Sequence, residues 1–240
     1  MDNEYCSFNI KEIEEDNFWE YGLKAELENK SAEATYMFSI TEAYINGILC
    51  NPLFASEVAP GKKSNETITF SLEDEGMDKV TDIELHIRVY DYDNWADDAV
   101  AEEVVHVYPY GEDKAELYTR ETKSSDTVLV DNDSITVIIT DFDEDGIFGY
   151  TANLFIVNKT SQNLMYAVDD CSINGYMIDP FFATSIGADK CEFTSMSWLD
   201  DELEENDIEE VETIEFELRV YDDDNWTADN LFDQVITVQP

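Results

Sequence analysis

Apolar and polar residues alternate with a period of two through much of the chain. In "IELHIRVYD" (83–91), Ile83, Leu85, Ile87 and Val89 alternate with Glu84, His86, Arg88 and Tyr90. In "IEFELRVYD" (214–222), Ile214, Phe216, Leu218 and Val220 do the same. That period sends every second side chain to one face, which predicts strands buried on one side. "GLKAELE" alternates through Leu23, Ala25 and Leu27, and "FNIKEI", "TITFSL" and "QVITV" predict further strands. Asn46-Gly47 and Asn174-Gly175 each lie between apolar runs, the strongest short-range hairpin signal. Only "LEDEGMDKV" (72–80) and "LEENDIEEV" (203–211) suggest helix, and both are brief.

The predicted elements occur twice. "IRVYDYDNW" (87–95) returns as "LRVYDDDNW" (218–226), with seven of the nine positions identical. "LENKS" (27–31) returns as "IVNKT" (156–160), and "INGILCNPLFAS" (45–56) as "INGYMIDPFFAT" (173–184). "LEDEGM" (72–77) matches "LEENDI" (203–208), and Pro109 matches Pro240. The offset drifts only between 128 and 131 residues, so small loop insertions separate fixed elements. The first copy is expected over 1–110 and the second over 127–240, joined by a polar, charged linker at 111–126. An apolar "TVLVD" (127–131) opens the second copy, and its counterpart would precede Met1. The first copy is therefore expected to lack an upstream segment.

Each copy carries about seven short strands in about 107 residues. That predicts an all-β protein of two tandem immunoglobulin-like antiparallel β-sandwich domains, with a closed barrel as the alternative. The brief helix falls just before the longest strand, where a sandwich crosses from one sheet to the other.

Composition narrows the function classes. The 240 residues include 57 Asp and Glu against 13 Lys and Arg, a net charge of −44. Such a surface repels phosphate backbones and anionic lipid, so no nucleic-acid partner is expected. It favours cationic partners and divalent cations. No run of 18 apolar residues exists to span a membrane, and "MDNEYCSFNI" lacks the basic and apolar regions of a signal peptide. A hydrophobic fraction of 43% and an aromatic fraction of 12% supply real cores. Cys6, Cys50, Cys171 and Cys191 match no zinc or redox spacing. They read as buried or half-buried thiols, with a Cys171–Cys191 disulfide as the alternative.

The unit "N-K … I-N-G-x-x-x-x-P-x-F … L-E-x-x-x-[MI] … I-E-[LF]-x-[IL]-R-V-Y-D-x-D-N-W" resembles an uncharacterised immunoglobulin-like repeat of secreted or membrane-tethered proteins of gut Firmicutes. Those repeats often follow a zinc ribbon or a membrane anchor, neither of which this chain carries. The likeness covers both copies. It implies an extracellular or cell-envelope setting in a bacterium and supplies no catalytic residues.

Three patterns have chemical potential. In "DFDEDG" (141–146), Asp141, Asp143, Asp145 and Gly146 match positions one, three, five and six of a calcium loop. The closing Glu is absent, since Ala152 stands at position twelve, and acidic loops also arise from composition alone. In the repeated phrase, Asp91 and Asp93, with Asp222 and Asp224, are candidate cation ligands, and Trp95 and Trp226 are candidate ligand-binding platforms. The competing reading is a structural turn in which Asp and Asn bond their own backbone and the Trp caps the core. His86 and His106 are the only histidines, and Glu217 and Thr237 replace them in the second copy. They read as two isolated surface side chains, because a metal site needs a third ligand within reach. No nucleophile motif, phosphate-cradling glycine loop or paired-carboxylate pattern stands out, so no enzyme is expected. Sequons at Asn29, Asn65, Asn132, Asn158 and Asn225 read as turn chemistry.

These readings point to a non-catalytic cell-envelope module that binds an unknown protein or glycan. The alternatives are a carbohydrate-binding module and an acidic nucleic-acid mimic that occupies a basic protein. No cofactor is required on any of them; calcium is the one candidate ion.

Overall fold

The computed structural model describes the chain except for residues 16–19, 51, 72–76, 78 and 226. The chain divides into two compact units, Met1–Thr119 and Arg120–Pro240. Both are built from antiparallel strands. Among the described residues, no helix is long and apolar enough to cross a membrane.

The first unit contains β1 (Cys6–Glu15), β2 (Glu20–Asn29), β3 (Tyr36–Ile45), β4 (Ile48–Leu49), β5 (Ala55–Val58), β6 (Lys63–Ser71), β7 (Ile83–Asp91) and β8 (Ala101–Val107). One sheet runs β1-β2-β6; the other runs β8-β7-β3-β4, with β5 also on β3. Alternation explains the layering. Ile83, Leu85, Ile87 and Val89 of β7 are all buried, and so are Leu23, Ala25 and Leu27 of β2. These side chains form one apolar core with Phe8, Phe38, Ile68 and Phe70, drawn from both sheets. Burying each large apolar side chain contributes about 1.5–3 kcal/mol.

The second unit contains β9 (Thr127–Asp131), β10 (Ile135–Gly146), β11 (Gly149–Asn158), β12 (Leu164–Ile173), β13 (Tyr176–Met177), β14 (Ala183–Ile186), β15 (Cys191–Trp198), α1 (Asp200–Glu205), β16 (Ile214–Asp222) and β17 (Phe232–Val238). Its sheets run β15-β11-β10-β9 and β13-β12-β16-β17, with β14 on β12. Its core gathers Trp198, Tyr166, Phe216, Leu218 and Val220.

The described residues hold eight strands in the first unit and nine in the second, more than the expected seven. The surplus has a local origin. Each Asn-Gly turn pairs a two-residue strand, β4 or β13, back onto the strand before it, and β9 adds to the edge of β10. The helix α1 joins β15 to β16, so it marks a crossing between sheets. It starts three residues before the predicted stretch, since Asp200, Asp201 and Glu202 occupy the first turn, where the helix dipole favours acids. Most of the counterpart stretch of the first unit, residues 72–76 and 78, lies outside the described residues.

The repeated motifs are fold-holding devices. Asn46 and Asn174 have φ of 51° and 50°, and Gly47 and Gly175 have 84° and 88°, as a tight hairpin with two left-handed residues requires. The Asn46 Oδ1 also accepts from the Thr81 and Asp82 N–H groups at 2.7 and 3.0 Å, and Asn174 Oδ1 accepts from Glu212 and Thr213 at 2.9 and 3.0 Å. Each hairpin is thereby clipped to the entry of β7 or β16, which at 9 residues each are not the longest strands, contrary to expectation, since β3 runs to 10 and β10 to 12. The "N-K-[ST]" repeat works in the same way. Fully buried Asn29 donates to the Ala34 and Val58 carbonyls, and Asn158 to those of Gln162, Ile186 and Gly187. Lys159 then reaches Asp131 at 2.7 Å and the Asn132 carbonyl at 2.7 Å, while Lys30 reaches Asp2 and the Asn3 carbonyl.

Residues 111–126 are more ordered than a solvated linker. Glu112–Lys114 forms a 3-10 turn. The Arg120 guanidinium meets the Asp126 carboxylate in two parallel bonds of 2.7 and 2.8 Å and lies over the Phe155 ring. That pairing holds the Asp126 carboxyl below the usual carboxylate range.

Candidate functional site

The end of β7 carries the first candidate. Asp91 Oδ1 accepts the Asp93 N–H at 3.0 Å, and Asp91 Oδ2 accepts the Asn94 amide at 3.2 Å. At the end of β16, Asp222 Oδ1 accepts the Asp224 N–H at 3.0 Å, and Asp222 Oδ2 accepts from Gln162 at 2.8 Å. Asp224 also accepts from Asn163 at 3.3 Å, and Asp223 from Ser185 at 2.6 Å. Asp91 and Asp222 thus occupy their oxygens as turn-formers, which is the structural half of the expected reading. The other half fails in the first unit. Trp95 is 69% exposed, with Tyr92 at 47%, so this Trp does not cap the core. The apolar positions inside β7 already fill that face, and the turn carries Trp95 past the end of the strand. Trp226 and Trp19 lie outside the described residues. Trp198 is buried in the second core.

The calcium candidate is drawn out along a strand. Asp141, Asp143 and Asp145 belong to β10, which continues to Gly146. Asp141 Oδ1 accepts the Asn153 amide at 2.8 Å, and Asp143 Oδ1 accepts the Asp145 N–H at 3.1 Å. Glu144 and Asp145 line a cavity of about 430 Å³ with Asp200, Glu204, Glu209 and Glu210 on its rim and Leu203 and Ile208 in its wall. Burial and the nearby Glu144 carboxylate push the Tyr150 phenol in that wall up to about 12. At the turn after β10, Ile147 and Phe148 are 96% and 69% exposed. Among the described residues, no group of three or more His, Cys, Asp or Glu side chains is disposed, as it stands, to hold a metal ion.

The histidines are not isolated. His86 Nε2 lies 2.8 Å from Glu84 Oε1 and His86 Nδ1 3.3 Å from Glu42 Oε2. His106 Nδ1 lies 2.9 Å from Asp82 Oδ1 and its Nε2 3.8 Å from Glu84 Oε2. One carboxylate, Glu84, therefore faces both rings. Sequence reasoning passed over Glu84, although pairing the last two strands places it opposite His106.

All four cysteines are free thiols, including Cys171 and Cys191. Burial pushes Cys50 and Cys191 up to about 12 and Cys171 to about 11. Cys50 borders the first unit's cavity of about 460 Å³, with Pro52, Leu53, Phe54 and the stretch 67–70.

No protein-family model matches the chain, and no curated protein matches it. Among solved structures, it is similar to red sea bream transglutaminase, at 10% identity and a TM-score of 0.26, over 98% of this chain. It is also similar to the Amycolatopsis orientalis exo-chitosanase CsxA, at 10% identity and a TM-score of 0.24, over 90% of this chain. The chain spans 31% and 25% of those two proteins. At these TM-scores, neither likeness decides fold or activity.

Proposed function

We propose that the chain is a non-catalytic binding module of a bacterial cell envelope, built from two immunoglobulin-like sandwiches in tandem. Strand order supports the architecture: β1-β2-β6 facing β8-β7-β3 has the A-B-E and G-F-C arrangement of such domains, and β10-β11-β15 with β17-β16-β12 repeats it. The observation that carries the binding role is the corner after β7. A turn fixed by Asp91 holds Trp95 and Tyr92 in solvent at the end of β7. Exposed aromatic side chains of this kind are the usual anchors of recognition.

Cosedimentation of the purified chain with Gram-positive cell-wall and membrane fractions tests this. Saturable retention, lowered at least about tenfold in affinity by Trp95→Ala, is the expected result for an anchor residue. No retention, or retention indifferent to Trp95, contradicts the reading. The exposure of Trp95 also favours a second reading, carbohydrate binding, in which the ring stacks on a sugar face. A glycan array separates the two, since the second requires a glycan signal that Trp95→Ala removes.

A further inference from the structure

Both histidines of the chain lie on the outward face of the β3-β7-β8 sheet, and register explains why they meet. Glu84 and His86 are two residues apart on β7, so they share a face. His106 on β8 is directly opposite Glu84, and Glu42 on β3 is directly opposite His86. We propose that this cluster binds one divalent transition-metal ion of the zinc class, through Nε2 of His86, Nε2 of His106 and the Glu84 carboxylate.

The orientation of the rings is the first support. Each Nδ1 is already engaged by its own carboxylate, Glu42 at 3.3 Å and Asp82 at 2.9 Å. Metal-bound imidazoles are held by such outer carboxylates, which leave the other nitrogen to the ion. Both Nε2 atoms here face Glu84, at 2.8 and 3.8 Å. Two ligands on a tetrahedral zinc stand about 3.3 Å apart, from metal–ligand bonds near 2.0–2.1 Å. His86 meets Glu84 Oε1 at 2.8 Å and His106 meets Glu84 Oε2 at 3.8 Å, so each ring lies within about 0.5 Å of that separation from its own oxygen of the carboxylate. As they stand, the side chains bond one another and no three surround a common point. The ion enters by replacing the Glu84–imidazole hydrogen bonds, with Glu84 moving off His86 and His106 closing in.

Charge and chemistry agree. Glu84 is only 8% exposed, and three carboxylates face an incoming dication across two imidazoles. Arg88, the next residue on that face, is drawn aside by Glu102 at 3.3 Å. Imidazole with carboxylate suits zinc, copper or nickel; calcium takes oxygen alone. The second unit serves as a built-in comparison. Glu215 and Thr237 pair there at 3.3 Å, and Glu217 stands where His86 does, with no imidazole. The stoichiometry is therefore one ion per chain.

Cobalt titration of the untagged, chelator-stripped full chain, in excess magnesium and calcium to occupy scattered carboxylates, tests the site. One equivalent of Co²⁺ should give visible ligand-field absorption that zinc displaces. His86→Gln and His106→Gln should each abolish it, and Glu217→Gln should leave it intact. Asp82→Asn should weaken binding by roughly 10-fold. Imidazole nitrogen resonances, of which the chain has only two residues' worth, read the unaltered protein directly. Both sets should shift with one equivalent of Zn²⁺. Absence of saturable cobalt absorption, survival of that absorption in both histidine variants, or unmoved imidazole resonances would overturn the proposal.

Discussion

Asn158→Ala isolates the "N-K-[ST]" device. Asn158 is fully buried, and its amide donates to three carbonyls at 2.7, 3.0 and 2.9 Å, those of Gln162, Ile186 and Gly187. Its oxygen accepts from the Thr160 N–H at 2.9 Å and the Thr160 hydroxyl at 2.8 Å. Alanine removes every one of these bonds; the Gln162 carbonyl keeps the Thr160 hydroxyl at 3.2 Å, while the Ile186 and Gly187 carbonyls and the Thr160 N–H lose this partner. Each buried orphan costs about 1–3 kcal/mol, and some of these groups regain water at the loop edge, so the loss should be about 3–5 kcal/mol. Urea unfolding followed through Trp198, which is buried in the same core, measures it. With a slope near 2 kcal/mol/M for a unit of this size, the midpoint should fall by roughly 2 M at constant slope. Asn158→Asp keeps the acceptor but loses the donors and buries a charge, so it should do no better. A fall below about 0.5 M, equivalent to about 1 kcal/mol, would refute the claim that this side chain fastens the β11–β12 loop and the end of β14.

Three further outcomes follow from the same geometry. Gly149 has φ of +114°, and a Cβ there would run into the Trp198 carbonyl oxygen and the Asp200 nitrogen, so Gly149→Ala should cost about 3 kcal/mol or more, read from the same urea unfolding. Asp126 has its carboxyl held low by Arg120, so its contribution to stability is present above the ordinary carboxylate range and lost as pH falls through its lowered folded value; Asp126→Asn should lower the melting temperature at neutral pH, with the gap closing in acid. All four thiols are free and carry raised proton affinities or burial, so a thiol reagent should react slowly with the native chain and count four equivalents in denaturant without reductant; two equivalents would mean that Cys171 and Cys191 pair.

Much of the fold was legible because strand periodicity is local. The alternation in β7 and β16 names the buried face of each, and two Asn-Gly pairs give the hairpins. The strand count ran low because β4 and β13 are two residues each and leave no periodic trace. The site was less legible, since what matters there depends on register across strands. Asp91 and Asp222 were readable as turn-formers, because an Asx turn is a local bond. The exposure of Trp95 was not, because an aromatic after a strand looks the same whether it folds over the core or away from it. The meeting of His86, Glu84 and His106 spans residues far apart in sequence, and only the β7–β8 pairing brings them together.

The central claim is that the corner after β7 is a self-bonded turn that leaves its tryptophan in water for recognition. Iodide quenching of the native chain against Trp95→Phe tests it most directly. The account predicts that the variant loses a red-shifted, iodide-accessible component of the emission while its melting temperature stays put. Unchanged quenching together with a marked fall in melting temperature would place that ring inside the core and contradict the account.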